Sequence, residues 1–270
     1  MLKKVLSMGV ALALLAGTAV AGDVMFGYKF EQGKSQRYHL KLNTEMKMTG
    51  MEASQTADMT VNVTCSSADK GKYTMSVLFE KVQASNLIAG NLNEDPSASK
   101  MVGKTVIFTV DSHGSVSNIT PGPGFDVWSS VQQVVEPTLK NWYVYMPAKA
   151  VPVGGEWKRE NHRDKSVAGA DYVTNEHFKF RESKKEKNRE LAVVDQDVTT
   201  TIGGTTETPI GVYKLAGTGA GKFEFSFNPA NGTIPYFKGT METNIDMTPQ
   251  SGGMAMKTTV ANHIERELLE

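Results

Sequence analysis

Tyr38-His39-Leu40-Lys41-Leu42-Asn43-Thr44-Glu45-Met46-Lys47-Met48-Thr49 alternates in chemistry from one residue to the next. A period of two puts Tyr38, Leu40, Leu42, Thr44, Met46 and Met48 on one face of an extended strand. His39, Lys41, Asn43, Glu45, Lys47 and Thr49 then share the other face. A helix, with its period of 3.6, would scatter both sets around its circumference. One dry face and one wet face is the pattern of an antiparallel sheet with a core on one side.

The pattern repeats outward from this stretch. After a polar turn over Gly50 to Thr56, Met59, Val61, Val63 and Cys65 alternate with Asp58, Thr60, Asn62 and Thr64, so 38 to 65 reads as a hairpin. Tyr73 to Phe79, Val106 to Val110, Tyr172 to Phe180 and Phe223 to Phe227 carry the same signal. Turn sequences stand between the runs: Asp69-Lys70-Gly71, Asp111-Ser112-His113-Gly114, Gly203-Gly204 and Asn231-Gly232. The reading is an all-β, mainly antiparallel chain of about a dozen strands, as a curved sheet, half-barrel or sandwich.

One segment departs from the pattern. Trp128, Val131, Val135, Leu139 and Trp142 fall at three- and four-residue spacing, which predicts an amphipathic helix over 125–142. Pro137 is expected to split it into two short pieces. Its apolar stripe needs a surface to cover, and a sheet face is the natural one. The helix divides the chain into a β half at 22–124, a helical connection at 125–147 and a second β half at 148–270, packed together as one domain. The two halves share hairpin-like features that would fit a duplication.

Met1 to Ala21 has the form of an export signal. Lys3 and Lys4 precede an apolar run from Val5 to Ala16, and Ala19-Val20-Ala21 offers a cleavage site before Gly22. The run is shorter than the roughly 20 residues a membrane-spanning helix needs, so no transmembrane anchor is expected. Thr18 stands where a lipid-modified cysteine would be required. The expected location is therefore periplasmic or secreted, where nucleotide-dependent chemistry has no supply of cofactor. Removing the signal takes two lysines from a chain with 29 basic and 29 acidic residues, and that balance asks for no nucleic acid. The single cysteine, Cys65, has no partner for an intramolecular disulfide, and an oxidising compartment favours its burial.

Methionine is the compositional oddity. Of 14 methionines, eight lie in two hairpins, and Met46, Met48, Met241, Met247, Met254 and Met256 continue apolar strand faces. Methionine lines adaptable apolar surfaces. These six, with Trp128 and Trp142, are therefore the candidate wall of a cavity for a lipid or other hydrophobic ligand beneath the helix. Two alternatives stand beside this. The same faces could pack solid in a structural module that binds another envelope protein. The Met-x-Met spacing could instead hold Cu(I) through soft thioethers. No Gly-x-Ser-x-Gly, His-Glu-x-x-His or Walker sequence occurs. The expectation is a non-enzyme without cofactor or catalytic residues. The basic run from Lys179 to Arg189 reads as a solvated hairpin end.

Met146-Pro147-Ala148-Lys149-Ala150-Val151-Pro152-Val153-Gly154-Gly155-Glu156-Trp157 resembles the sheet restart of exported bacterial all-β families of unknown function. The layout is also similar to that of the periplasmic lipoprotein-carrier superfamily, which implies a curved sheet holding acyl chains under a helical lid.

Overall fold

The computed structural model describes residues 22–88, 90–163, 170–208 and 211–269; the expected export signal lies outside them. The chain is all-β. Its first half contains β1 (Ser35–Met48), β2 (Met51–Asp69), β3 (Lys72–Ile88), β4 (Asn91–Glu94), the short helix α1 (Pro96–Met101), β5 (Thr105–Asp111) and β6 (Val116–Pro121). Helix α2 (Trp128–Trp142) follows. The second half contains β7 (Glu156–Arg163), β8 (Ala170–Glu186), β9 (Arg189–Thr208), β10 (Gly211–Asn228), β11 (Thr233–Pro249) and β12 (Met256–Leu269).

All twelve strands join one antiparallel sheet in the order β6-β5-β3-β2-β1-β12-β11-β10-β9-β8-β7, with β4 beside β3, and this sheet is not closed into a barrel. Neighbours are consecutive in sequence except at β3–β5, where β4 and α1 are set aside, and at the centre, where β1 pairs with β12 from Arg37–Leu269 to Met48–Thr258. Tight turns set the registers. Lys187 and Asn188, at φ 46° and 62°, close the β8–β9 hairpin in the left-handed conformation that matches strand twist.

The sheet must curl. Laid flat at about 4.8 Å per strand, β5 and β8 would stand roughly 40 Å apart. Yet the short segment 22–30 touches both wings. Its Tyr28 amide donates to the Ser112 carbonyl beyond β5, and the Tyr73 hydroxyl of β3 donates to the Tyr28 carbonyl. Two residues away, Phe26 sits 5.1 Å from Trp157 of β7, 5.4 Å from Phe180 of β8 and 5.1 Å from Phe227 of β10. Val24 forms a bridge with Val151. Register shifts at Phe180/Glu182 in β8 and Ser226/Asn228 in β10 fall where Phe26 meets Phe180 and Phe227, and β2 is shifted at Cys65/Ser67. Bulges bend a strand and increase its twist, which is what wrapping requires.

The main core fills this wrapped end. Phe26, Tyr28, Phe30, Val63, Phe108, Phe178 and Phe225 belong to one buried cluster, closed over by Val131, Val135 and Leu139 of α2. Cys65 lies in the same cluster, and burial raises its thiol pKa.

Several local readings need correction. The helix begins at Trp128 and runs through Pro137 without splitting. The polar turn expected over 50–56 shrinks to Thr49–Gly50, because β2 already pairs with β1 from Met51. Gly203-Gly204 is no turn. It lies inside β9, paired to Ala216 and Leu215 on one side and to Asp171 and Ala170 on the other. Ladders on both sides outweigh the local preference of two glycines for a turn.

Candidate functional site

The inner face of the sheet continues beyond the core. On β12 the side chains Leu268, Arg266, Ile264, Asn262, Val260, Thr258 and Met256 share that face, spanning roughly 34 Å between Arg266 and Met256. The register supplies their neighbours. On β1, Leu42 stands beside Ile264, Met46 beside Val260 and Met48 beside Thr258. On β11, Met241 stands beside Asn262, Ile245 beside Thr258 and Met247 beside Met256. The curl makes this face a trough.

Only one end of the trough is roofed by described residues. Phe237 and Leu268 are the last side chains of β11 and β12 to pack against the main core. Beyond them Leu42, Met46, Met48, Met241, Val260, Ile264 and Met256 are half-buried, with the wall made by the sheet itself. A small second cluster, Ala170, Ile202 and Leu215 with Tyr172, Ile245 and Met247, lines the far end. The far rim carries exposed Met51, Ile88 and Leu92.

Glycines shape the floor. Gly217, Gly219 and Gly221 occupy the inner positions of β10. A Cβ on Gly219 would stand 2.8 Å from Thr243 Oγ1 and 3.1 Å from Met241 Cε. The missing side chains let the β11 residues lie flat across β10.

The structure separates the predicted site residues. Met46, Met48, Met241, Met247 and Met256 lie on the inner face, and Met247 and Met256 are direct cross-strand partners. Met254 does not join them. It falls in the connection between β11 and β12 and is 85% exposed, because β12 begins only at Met256. Trp128 and Trp142 belong to the roof. Trp128 packs against Phe125 at 5.5 Å, and Trp142 meets Tyr38 edge-on at 5.6 Å. The cavity expected beneath the helix is occupied by core side chains, and the uncovered part of the face lies beyond it.

Where roof and trough meet stands a residue that the sequence reading passed over. Arg266 is 5% exposed, and its guanidinium lies over the rings of Trp142 at 4.7 Å and of Tyr38 and Phe237 at 5.5 Å. Its Nη1 donates to the carbonyl of Trp142, the last residue of α2, while its Nε is buried without a partner. Burial lowers the Arg266 pKa, and burial pushes that of Tyr38 up to about 12. The available signal was parity. Arg266 falls in step with Ile264 and Leu268, although Glu265 and Glu267 make the segment look like a solvated edge.

The opposite wing is more polar. Arg159 of β7 lies 3.8 Å from Glu176 of β8 and stacks on Tyr145 at 5.1 Å. On the outer face a groove of about 570 Å³ crosses five strands between Asn43, Glu45, Lys222, Thr240, Glu242 and His263. Among the described residues no group of three or more His, Cys, Asp or Glu side chains is arranged to hold a metal ion, and no helix is long and apolar enough to cross a membrane.

No protein family matches this sequence, and no curated protein sequence does. The fold is similar to a solved structure of lipovitellin, determined in a study of lipid–protein interactions in that protein. The TM-score is 0.55 and the identity 12%. The similarity covers 90% of this chain and 26% of the lipovitellin chain, so the protein spans about a quarter of that neighbour's length.

Proposed function

We propose that this protein is an exported, non-enzymatic binder of lipid or a similar apolar chain, which it holds along the open part of the inner sheet face. The observation that carries the reading is the half-buried run of Leu42, Met46, Met48, Ile264, Val260, Met241 and Met256, on one concave face and outside the main core. Flexible thioether side chains suit ligands of variable shape. Each methylene removed from water contributes about 0.8 kcal/mol, so burying eight would contribute roughly 6 kcal/mol before ordering costs. The likeness to lipovitellin supports a fold in which such a face can exist. On this reading the signal at Met1 to Ala21 is removed and the protein acts in the periplasm or outside the cell.

The test is binding of the neutral fluorophore Nile red and its displacement by dodecanol. Val260→Asp places a carboxylate in the trough and should weaken binding by at least about tenfold. Ala261→Asp, one residue along on the outer face, should leave it unchanged. Equal effects of the two substitutions, or no binding by the folded parent protein, would overturn the reading. N-terminal sequencing of protein from an envelope fraction should begin at Gly22.

A further inference from the structure

Arg266 poses a physical question that the trough alone does not answer. A buried charge is tolerated when it is paired, and the described residues place no carboxylate against this guanidinium. Its one hydrogen bond goes to the carbonyl that ends α2, its Nε is unsatisfied, and it lies over three aromatic rings. A helix C-terminus favours a cation, so part of its role is to fasten α2 to the sheet. That role uses one donor of a group that offers five.

The position adds the second element. Arg266 closes the roofed end of the trough, next to Ile264 on β12 and facing Leu40 and Phe237 on the flanking strands. From it the apolar stripe of β12, β1 and β11 leads away toward the exposed rim. A single cation at the closed end of an apolar channel is matched by a molecule with one anionic head and one apolar tail. Guanidinium engages carboxylate and phosphate oxygens through paired, charge-assisted hydrogen bonds.

We propose that Arg266 receives the anionic oxygen head group of an amphipathic ligand, a carboxylate or phosphate, whose tail lies along the trough toward Met256. This rests on the trough being a lipid-binding surface. On binding, the guanidinium exchanges its contact with the Trp142 carbonyl and ring for the ligand's oxygens. Arg266 thus couples head-group binding to the seating of α2.

The test compares dodecanoate, dodecyl phosphate and dodecanol as competitors of Nile red at pH 8. The unaltered protein should prefer either acid to the alcohol by about tenfold or more, the size expected when a buried charged hydrogen-bonding partner is gained. Arg266→Gln should abolish the preference, bringing the acid-to-alcohol affinity ratio to within about twofold of one. Arg266→Lys, which keeps the charge and loses the fork, should restore part of it. A purely structural role predicts something else, acid and alcohol weakened alike with the preference between them retained, and that result would overturn the proposal. Equal affinity for acid and alcohol in the unaltered protein would also overturn it, leaving the trough reading intact and needing no variant. Displacement by inorganic phosphate alone would show a free-anion site and refute the amphipathic ligand. If none of the three competitors binds, the trough reading itself fails.

Discussion

Replacing Phe26 by alanine should loosen the whole molecule, although the residue belongs to no strand. The side chain is 1% exposed and meets Trp157, Phe180 and Phe227 at ring separations of 5.1–5.4 Å. Truncating a buried phenylalanine costs about 3–5 kcal/mol, which includes the cavity left behind. Three ring contacts at T-shaped or tilted angles place this site toward the upper end. A loss of about 4 kcal/mol corresponds to a midpoint lower by roughly 10 °C for a chain of this size. The control is its neighbour. Met25 is 53% exposed, and Met25→Ala should cost no more than about 0.5 kcal/mol. Urea unfolding of both variants should be followed by far-ultraviolet circular dichroism and by tryptophan emission, since Trp157 packs against the altered site. Coincident transitions with an unchanged slope would license a direct comparison. If Phe26→Ala costs under about 1 kcal/mol, or no more than Met25→Ala, the segment 22–30 is not what holds the two wings together.

Three further outcomes can be checked independently. Gly232 has φ 66°, and a Cβ there would stand 2.4 Å from the Lys29 amide nitrogen and 2.7 Å from the Gly27 oxygen, so Gly232→Ala should cost more than about 2 kcal/mol. Gly50→Ala, at φ 80° with open space around it, should cost only the conformational strain of about 1 kcal/mol, and equal losses in chemical denaturation would refute the backbone clash. Burial raises the Tyr38 pKa from 10.0 to about 12, so the folded state holds a proton that the unfolded state releases. The associated stability is complete below pH 10 and is lost as pH rises toward 12, by about 3 kcal/mol in total; Tyr38→Phe should flatten that part of the stability profile. Cys65, buried with its pKa raised, should resist an aromatic disulfide reagent in the native protein and react on unfolding; rapid native labelling would contradict its placement.

The legibility of this chain followed the range of the forces involved. Tyr38 to Met48 announces its strand because each side chain records which face is dry, and that information is local. Trp128, Val131, Val135 and Leu139 announce α2 for the same reason. What escaped was set by distant partners. Gly203-Gly204 looks like a turn until β8 and β10 are laid on either side of it. Met254 looks like a strand residue until the register shows that pairing with β11 starts at Met256. The segment 22–30 has almost no secondary structure, so no periodicity argument could reveal that it joins the wings. Arg266 was hidden most deeply. Charge marks a surface residue unless parity and neighbours say otherwise, and its neighbours on β1 and α2 are far away along the chain.

The pairing of β1 with β12 has a consequence for how the protein reaches its structure. Thr44 donates to Asn262 across this seam, between residues 218 positions apart. Every other junction along the strand order is a nearer neighbour in sequence, most of them hairpins that can zip locally. The centre of the sheet therefore has to wait for a long loop to close, the kind of step that slows folding. Until β12 arrives, β1 presents a bare edge with Leu40, Leu42, Met46 and Met48 beside it, and such edges recruit other chains. The seam that is innermost in the finished molecule is the interval of greatest aggregation risk during its assembly. A factor that shields β1 during that interval would protect the yield of folded protein without touching any surface of the native state.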